Sequence, residues 1–377
     1  MHRLNFFPVI AILLLLGFAA CKKSGGSPAG ASGYSHITYA TGDSLSQARA
    51  NAAGAAAGSK IVFAGGGTLI PPSTSSIVVN TVDIYDTATH AWTKGQLSEA
   101  RDYVVAAATG GKILFAGGEN ASTGYSKAVD IYDAGSGNWT TATLSVGRRN
   151  LAAAATGSKI LFAGGFDNTD LLNTVDIYDA GSGAWTTAQL SEARCYLAGA
   201  AAGGKIVFGG GARANDSLSA TVDIYDVNTG KWAVAKLSVP RDNLAAAAAG
   251  SKIVFAGGVV YNAATTKYVQ STAVDIYDVN SGQWTTAQLS EPRSQLAAAG
   301  TGELIVFAGG VSSTTSVSKT ADVYNVNTGV WTTVQLGSGR FDLGAATTGN
   351  ILMVGGGGGT GNGTGYSKAV DVFTLSK

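Results

Sequence analysis

The sequence predicts an all-β fold, a seven-bladed β-propeller of four-stranded antiparallel blades, and three observations carry that prediction. One unit, clearest at Val175–Gly211 (VDIYDAGSGAWTTAQLSEARCYLAGAAAGGKIVFGGG), recurs along almost the whole chain. Its markers keep register. An Arg opens a run of small residues at Arg49, Arg101, Arg148, Arg194, Arg241, Arg293 and Arg340. A glycine pair closes an apolar run at Gly65, Gly117, Gly164, Gly209, Gly257, Gly309 and Gly355. A VDIYD-like strand starts at Val82, Val129, Val175, Val222, Val274, Ala321 and Val370. The third observation is the period, roughly 45–52 residues, which lies in the range of propeller repeats.

Each repeat reads as four short strands. Strand A is the Ala-rich run after the Arg, strand B is KIVFAGG, strand C is VDIYD and strand D is WTTAQL. Alternation and β-branched or aromatic residues support strands. The connecting GSK, GGK, DAGSG and DVNTG segments suit tight hairpins. Small residues fit strand A, which crowds against its counterparts at the axis. The outermost strand D leaves room for a Trp to cover the gap between blades.

The Trp marker occurs only six times, at Trp92, Trp139, Trp185, Trp232, Trp284 and Trp331. The chain stops just after strand C of the seventh repeat, while residues 35–41 precede the first Arg and lack a partner strand. The N-terminal segment is therefore expected to supply strand D of the last blade. That would close the ring and remove its open edges.

Composition bounds the rest. Hydrophobic residues make up 45% and charged residues 13%, so a core is available. The 53 glycines and 6 prolines show no G-X-Y period and point to turns. A net charge of +1 gives no electrostatic basis for nucleic-acid binding. Two cysteines, Cys21 and Cys195, cannot make a disulfide framework or a cysteine-rich metal site.

Residues 1–20 stand apart. A basic start (His2, Arg3) leads into an apolar run that is short for a membrane span and fits a secretory signal. Leu16-Gly-Phe-Ala-Ala-Cys21 resembles a bacterial lipobox, although Phe18 stands where Leu is usual. The resemblance implies lipidation at Cys21 and an extracytoplasmic, lipid-anchored protein. Lys22 and Lys23 in place of Asp favour the outer membrane, on either of its faces. Residues 21–33 are a Gly/Ser tether, and residues 34–377 are the propeller.

The succession Arg, small residues, I-x-F-x-Gly-Gly, V-D-x-Y-D and Trp resembles the kelch repeat over about residues 35–377. The resemblance implies a propeller but no single function, since such propellers serve as interaction modules, glycan-related proteins and a few enzymes. Galactose oxidase is similar in architecture, but its copper needs histidines. Here only His36 and His90 lie outside the signal segment, both expected on or beside an outer strand. The same scarcity removes Ser-His-Asp and Cys-His nucleophile arrangements. No metal, cofactor or catalytic residue is predicted.

The A–B and C–D turns are monotonous, whereas the B–C loops vary. Gly67–Thr81 and Val259–Ala273 are the longest, and Gly357–Ala369 is Gly-rich. Binding residues favour variable loops on a rigid scaffold, so the B–C/D–A face is the expected site. The seven repeat arginines are expected near the axis on that face. Asn51, Tyr103, Asn150, Tyr196, Asn243, Gln295 and Asp342, two residues after each, would share a strand face with them and line the channel mouth. A structural role for the arginines is the competing reading, because Glu99, Glu192 and Glu291 are placed to pair with them.

Three further features carry less. Asp226–Gly230 and Asp278–Gly282 resemble half a calcium loop but lack the later Glu, so turn chemistry is the better reading. The glycines of Gly355–Gly365 follow a strand with no helix after it, which argues against phosphate binding. Cys195 reads either as a thiol at the mouth or as a bland substitution. The sequence thus favours a non-catalytic module recognising a protein or a glycan, touching membrane only through its lipid. The alternatives are a carbohydrate-active enzyme, using Glu99 or Glu291 beside arginines as in kelch-type sialic acid mutarotases, and a scaffold of a surface assembly.

Overall fold

The computed structural model describes residues 36–69, 76–122, 124–313, 316–360 and 365–376. The expected signal, tether and lipidation residue Cys21 lie outside them, as do parts of the Gly67–Thr81 and Gly357–Ala369 loops. Among the described residues the main elements are seven four-stranded antiparallel sheets, within the compact unit Tyr34–Lys377. In blade 1 strands A to D are Ala53–Ala57, Lys60–Ala64, Thr81–Asp86 and Ala91–Gln96. The helical content described is one 3₁₀ turn, Ala214–Asp216.

Blade 7 closes the ring as expected. Its strands A to C are Gly344–Thr348, Ile351–Gly355 and Ala369–Ser376, and its outer strand is the N-terminal His36–Ser44. In the other blades the strand C Tyr lies directly opposite the strand D Trp, as Tyr85 does opposite Trp92. In blade 7 Phe373 takes the Tyr position and Tyr39 the Trp position, with ring centroids 5.4 Å apart. The missing seventh Trp is thus a substitution by Tyr39. A bulge between Thr41 and Asp43, at Gly42, lets this strand run on to Ser44.

The core is divided among the blade junctions. Each of seven apolar clusters draws on two neighbouring blades. Between blades 1 and 2, for example, Val62, Val82 and Ile84 pack against Ile113, Phe115 and Tyr132, with Trp139 laid over them. The other six repeat this plan, and one of them joins blade 7 to blade 1 through Met353, Val370, Phe63 and Tyr85. Alternate residues of a strand point to opposite faces, so every blade is apolar on both sides. The A strands leave an axial channel lined by Ala and Gly, such as Ala107, Ala154, Ala200 and Ala247. Larger side chains are barred there: a Cβ on Gly54 would lie 2.6 Å from the Ala345 carbonyl oxygen of the next blade.

One sequence reading needs correction. In blades 4 and 7 the loop-forming glycine pair is Gly210–Gly211 and Gly356–Gly357, one residue later than expected. Gly209 and Gly355 end strand B instead, where the rings of Phe255 and Phe63 from the adjoining blades occupy the space of a side chain. The variable B–C loops contain strands of their own. Five carry a small two-stranded hairpin, including Gly67–Leu69 with Ser76–Val78 and Val259–Asn262 with Lys267–Gln270.

Deleting residues 34–44 should lower the melting temperature of the whole propeller, because it uncovers the edge of strand Ala369–Ser376 and empties the Tyr39 position. A single Tyr39→Ala change should cost about 2–3 kcal/mol. An unaltered thermal melt of the deletion would refute closure by this strand.

Candidate functional site at the channel mouth

The repeat arginines are the best-buried large side chains of the protein: all seven are 0% exposed. Each is paired with the first Asp of strand C in its own blade. Arg49 lies 2.7 Å from Asp83, Arg148 2.7 Å from Asp176 and Arg241 2.7 Å from Asp275. Arg101, Arg194, Arg293 and Arg340 pair likewise with Asp130, Asp223, Asp322 and Asp371. Backbone carbonyls take up further N–H groups, as when Arg101 donates to Gly117 and Ala128 at 2.7 Å each. The second Asp oxygen accepts the backbone N–H that follows strand D, for example Ser98 to Asp130 at 2.7 Å. Burial pulls these guanidinium pKa values below the ordinary range, and the facing carboxylates oppose it.

The arginine backbone meanwhile belongs to the preceding blade. The second glycine of each pair donates to an Arg carbonyl across the junction: Gly66 to Arg101, Gly118 to Arg148, and so on to Gly357, which donates to Arg49 at 2.8 Å. Glycine is required there. Gly65 and Gly66 have φ of 68° and 104°, and a Cβ on them would fall 2.7 Å from the Arg101 oxygen and 2.4 Å from that of Ala50.

The expectation that Arg49, Arg101, Arg148, Arg194, Arg241, Arg293 and Arg340 line the mouth is therefore corrected. They lie within the blades, and the structural reading holds for all seven. Glu99, Glu192 and Glu291 do approach three of them, but only at 3.7–3.9 Å from Nε. The strand C aspartates are the main partners. The signal that could have found them was an acid in every copy of a strand otherwise apolar on both faces.

The residues two positions later are at the mouth. Asn51, Tyr103, Asn150, Tyr196, Asn243, Gln295 and Asp342 line a pocket of about 250 Å³ at the channel end. They do not share a face with the arginines, because all seven adopt left-handed backbone, with φ between 48° and 56°. Extended alternation, assumed from the sequence, fails at that residue. Its turn sends the Arg into the blade and the next-but-one side chain toward the axis. Left-handed backbone is tolerated by Asn and Asp but costs Tyr or Gln about 1–2 kcal/mol. A chain of inter-blade hydrogen bonds holds it: Tyr196 N–H donates to Asn150, Asn243 to Tyr196, Gln295 to Asn243, Asp342 to Gln295 and Asn51 to Asp342, at 3.0–3.2 Å.

A second ring, one residue after each Arg, breaks the sevenfold sameness: Ala50, Asp102, Arg149, Cys195, Asp242, Ser294 and Phe341. Each bridges to the first residue of its own B–C loop. Arg149 pairs with Glu119, and its guanidinium carbon lies 5.6 Å from the Tyr103 ring centroid and 5.0 Å from that of Tyr125. Burial, reinforced by Glu119, pushes the Asp102 carboxyl up to about 6. Burial pushes Asp342 up to about 7, opposed by its hydrogen bond from Gln295. The Cys195 thiol is buried and pushed up to about 11, so it is not the exposed thiol that one reading allowed. Sequence reasoning missed Asp102, Glu119, Arg149 and Asp242; the variation next to an invariant Arg was the available signal.

The other features resolve simply. His90 sits in the blade 1 C–D turn, with Nδ1 3.0 Å from the Tyr85 hydroxyl, and His36 begins the outer strand of blade 7. No group of three His, Cys, Asp or Glu among the described residues could hold a metal ion. Asp226 and Asp278 accept the backbone N–H groups of their own turns and pair with Lys205 and Lys252.

Removing one partner of a buried ion pair leaves the other uncompensated, so Arg148→Ala or Asp176→Asn should each cost about 3–5 kcal/mol. The fall should appear as a lower melting temperature with ligand binding by the folded protein intact. Asp342 has the opposite signature. Its folded pKa is raised, so its contribution to stability is present below about pH 4 and is lost as pH rises through about 7. Asp342→Asn should therefore raise the melting temperature at about pH 8 and flatten that pH dependence.

With the geometry in place, likeness to known proteins is informative. A family model described as the KLHDC2/KLHL20/DRC7 Kelch-repeats domain matches residues 51–239, half of the chain. None of the curated proteins compared with it matches. A solved structure titled "Structure of YjhT" superposes with a TM-score of 0.59 at 15% identity, over 77% of this chain and 98% of that one. At that identity the likeness concerns the fold alone. Seven blades latched by the repeat Arg, the glycine pair and the strand C Asp, together with this match, place the chain in the kelch-repeat domain family.

Proposed function

We propose that this protein is a non-catalytic binding module that takes a protein or a glycan on its B–C/D–A loop face. The supporting observation is the distribution of exposed apolar side chains. Of the seven large ones among the described residues, five lie on that face: Tyr103 and Tyr196 at the mouth, Ile77 in the blade 1 hairpin, and Tyr261 and Tyr268 in the blade 5 hairpin. The last two are cross-strand partners in edge-to-face contact, their centroids 5.4 Å apart, and each is about half exposed (50% and 51%). Exposed tyrosines on rigid supports are effective contact residues, because they bring area and a hydroxyl at small entropic cost. The opposite face is occupied with itself: Lys60, Lys159 and Lys252 pair with Asp86, Asp179 and Asp278 at 2.5–2.6 Å. Kelch propellers typically mediate protein interaction, in keeping with this reading. The lipobox-like segment ending at Cys21 would tether the module outside the cytoplasm, at a bacterial outer membrane.

A second reading, a sugar epimerase or mutarotase at the mouth, is favoured by one observation. Asp102, with its carboxyl raised into the working range of a general acid or base, neighbours Glu119 and Arg149. An NMR assay of anomer and epimer exchange, with Asp102→Asn as control, should show no acceleration if the binding reading is right.

A glycan array and a proteome pull-down should lose their hits with Tyr103→Ala/Tyr196→Ala or Tyr261→Ala/Tyr268→Ala. A C–D turn variant, Asn228→Ala/Asn280→Ala, should keep them. Binding that survives both loop-face variants places the site elsewhere. Cys21→Ser should release the protein from membranes and abolish its labelling by a fatty-acid analogue.

A further inference from the structure

The mouth pocket has a charge pattern that the binding reading leaves unexplained. Of the seven residues in its inner ring six are neutral, and the seventh, Asp342, has no cation within ion-pair distance among the described residues. Its hydrogen bonds there come from the Gln295 amide, at 3.2 and 3.4 Å to its two oxygens. The exposed rings of Tyr103 and Tyr196 share the pocket, and Tyr103 feels the Asp342 charge. Behind them, Asp102 and Asp242 each bury an Oδ1 without a hydrogen-bond partner. The one cation of the second ring, Arg149, pairs with Glu119 and lies 5.6 Å from the Tyr103 ring centroid, outside the residues that line the pocket. The repeat arginines contribute nothing to the mouth, since their guanidinium groups are spent inside the blades.

We infer that the mouth takes a positively charged side chain of a partner protein, its ammonium or guanidinium group seated between the Asp342 carboxylate and the Tyr103 and Tyr196 rings. This rests on the loop-face binding reading above and names the ligand chemistry of the same site. A carboxylate beside aromatic faces suits a cation, because the ring quadrupole and the charge attract it together. An anionic ligand meets the Asp342 carboxylate, which has no cation within ion-pair distance among the described residues. A neutral ligand leaves Asp342 half-buried and still unpaired, at the cost of its remaining hydration. Volume argues the same way: about 250 Å³ is below the ~300–1,000 Å³ of pockets that enclose a whole small ligand, and it suits one long side chain. The strained backbone holds the ring in place before any partner arrives, so little ordering remains for binding.

The test is calorimetric titration of the full chain with an acetylated, amidated pentapeptide, Ser-Gly-Lys-Gly-Ser, against the same peptide carrying norleucine in place of Lys. The Lys peptide should bind and the norleucine peptide should not. Asp342→Asn, which keeps a residue at ease in left-handed backbone, should weaken the Lys peptide by about tenfold, as loss of one partner of a close charge pair does. Wild-type affinity should rise about tenfold from about pH 5.5 to about pH 8 as Asp342 and Asp102 ionise, and Asp342→Asn should flatten that rise. Equal binding of the two peptides, or an Asp342→Asn variant as tight as wild type, overturns the cation site. So does a neutral oligosaccharide that binds, is lost with Tyr103→Ala/Tyr196→Ala and ignores Asp342→Asn, although that result keeps the loop-face module. If peptides, oligosaccharides and proteins all fail to bind, the module reading and the cation site fall together.

Discussion

Each junction of this ring depends on burying a guanidinium without leaving it unpaired. Removing an arginine from water costs several kcal/mol, and the attraction to one carboxylate does not reliably repay it. Here the repeat Arg meets an Asp and backbone carbonyls, while the Asp collects a backbone N–H from the connection that carries the chain between blades. Main chain and side chain of the same arginine thus serve neighbouring blades. A planar, always-charged fork is needed for this, so Lys would be a poor replacement. The apolar clusters supply the bulk of the association, but hydrophobic contact is non-directional. The buried pair fixes how one blade is set against the next, and a sevenfold repetition of that setting closes the ring.

The same constraint creates the site. An Arg driven into the blade and a strand A that must start at the axis are four residues apart, as Arg49 and Ala53 are. Left-handed backbone at the intervening turn reconciles them, and it occurs at all seven positions, on Tyr103, Tyr196 and Gln295 as well as on Asn and Asp. Side chains there are aimed at the mouth by the latch and not by their own packing. Their identity is therefore free to vary while the scaffold stays fixed, and the ring reads Asn, Tyr, Asn, Tyr, Asn, Gln, Asp around the axis. The position one residue earlier is equally free, which is why Asp102, Arg149 and Asp242 can depart from symmetry without disturbing a blade.

The fold was legible because it is written seven times. Strand order, blade count and closure by the N-terminal segment follow from markers in register, and the missing Trp pointed to the strand that Tyr39 occupies. The mouth residues were legible as positions, from their fixed offset to the Arg. What sequence could not supply was direction. A two-residue offset implies a shared face only if the backbone stays extended, and no composition signal marks left-handed Tyr. The arginines were misplaced for that reason, and their aspartates went unnoticed because VDIYD served only as a strand marker. In a propeller blade both faces of strand C are buried, so Asp83 and its six counterparts had nowhere to go but into a pair.

The variable loops add a limit of the same kind. Their length marks them as different, yet length does not say what they present. Val259–Ala273 stands out in the sequence by its length alone, but pairing Tyr261 with Tyr268 across a hairpin makes it a two-stranded element carrying an edge-to-face tyrosine pair. A floppy loop would lose several side-chain rotamers on binding, whereas a paired hairpin has already lost them. Two kinds of contact thus stand on one face: a shallow charged mouth at the axis and a stiff aromatic edge over blade 5. A partner that inserts a cationic side chain into the first while resting on the second would gain orientation from two separated anchors. Under the proposed binding role, that combination would let the loops and second ring differ while the repeats stay nearly identical.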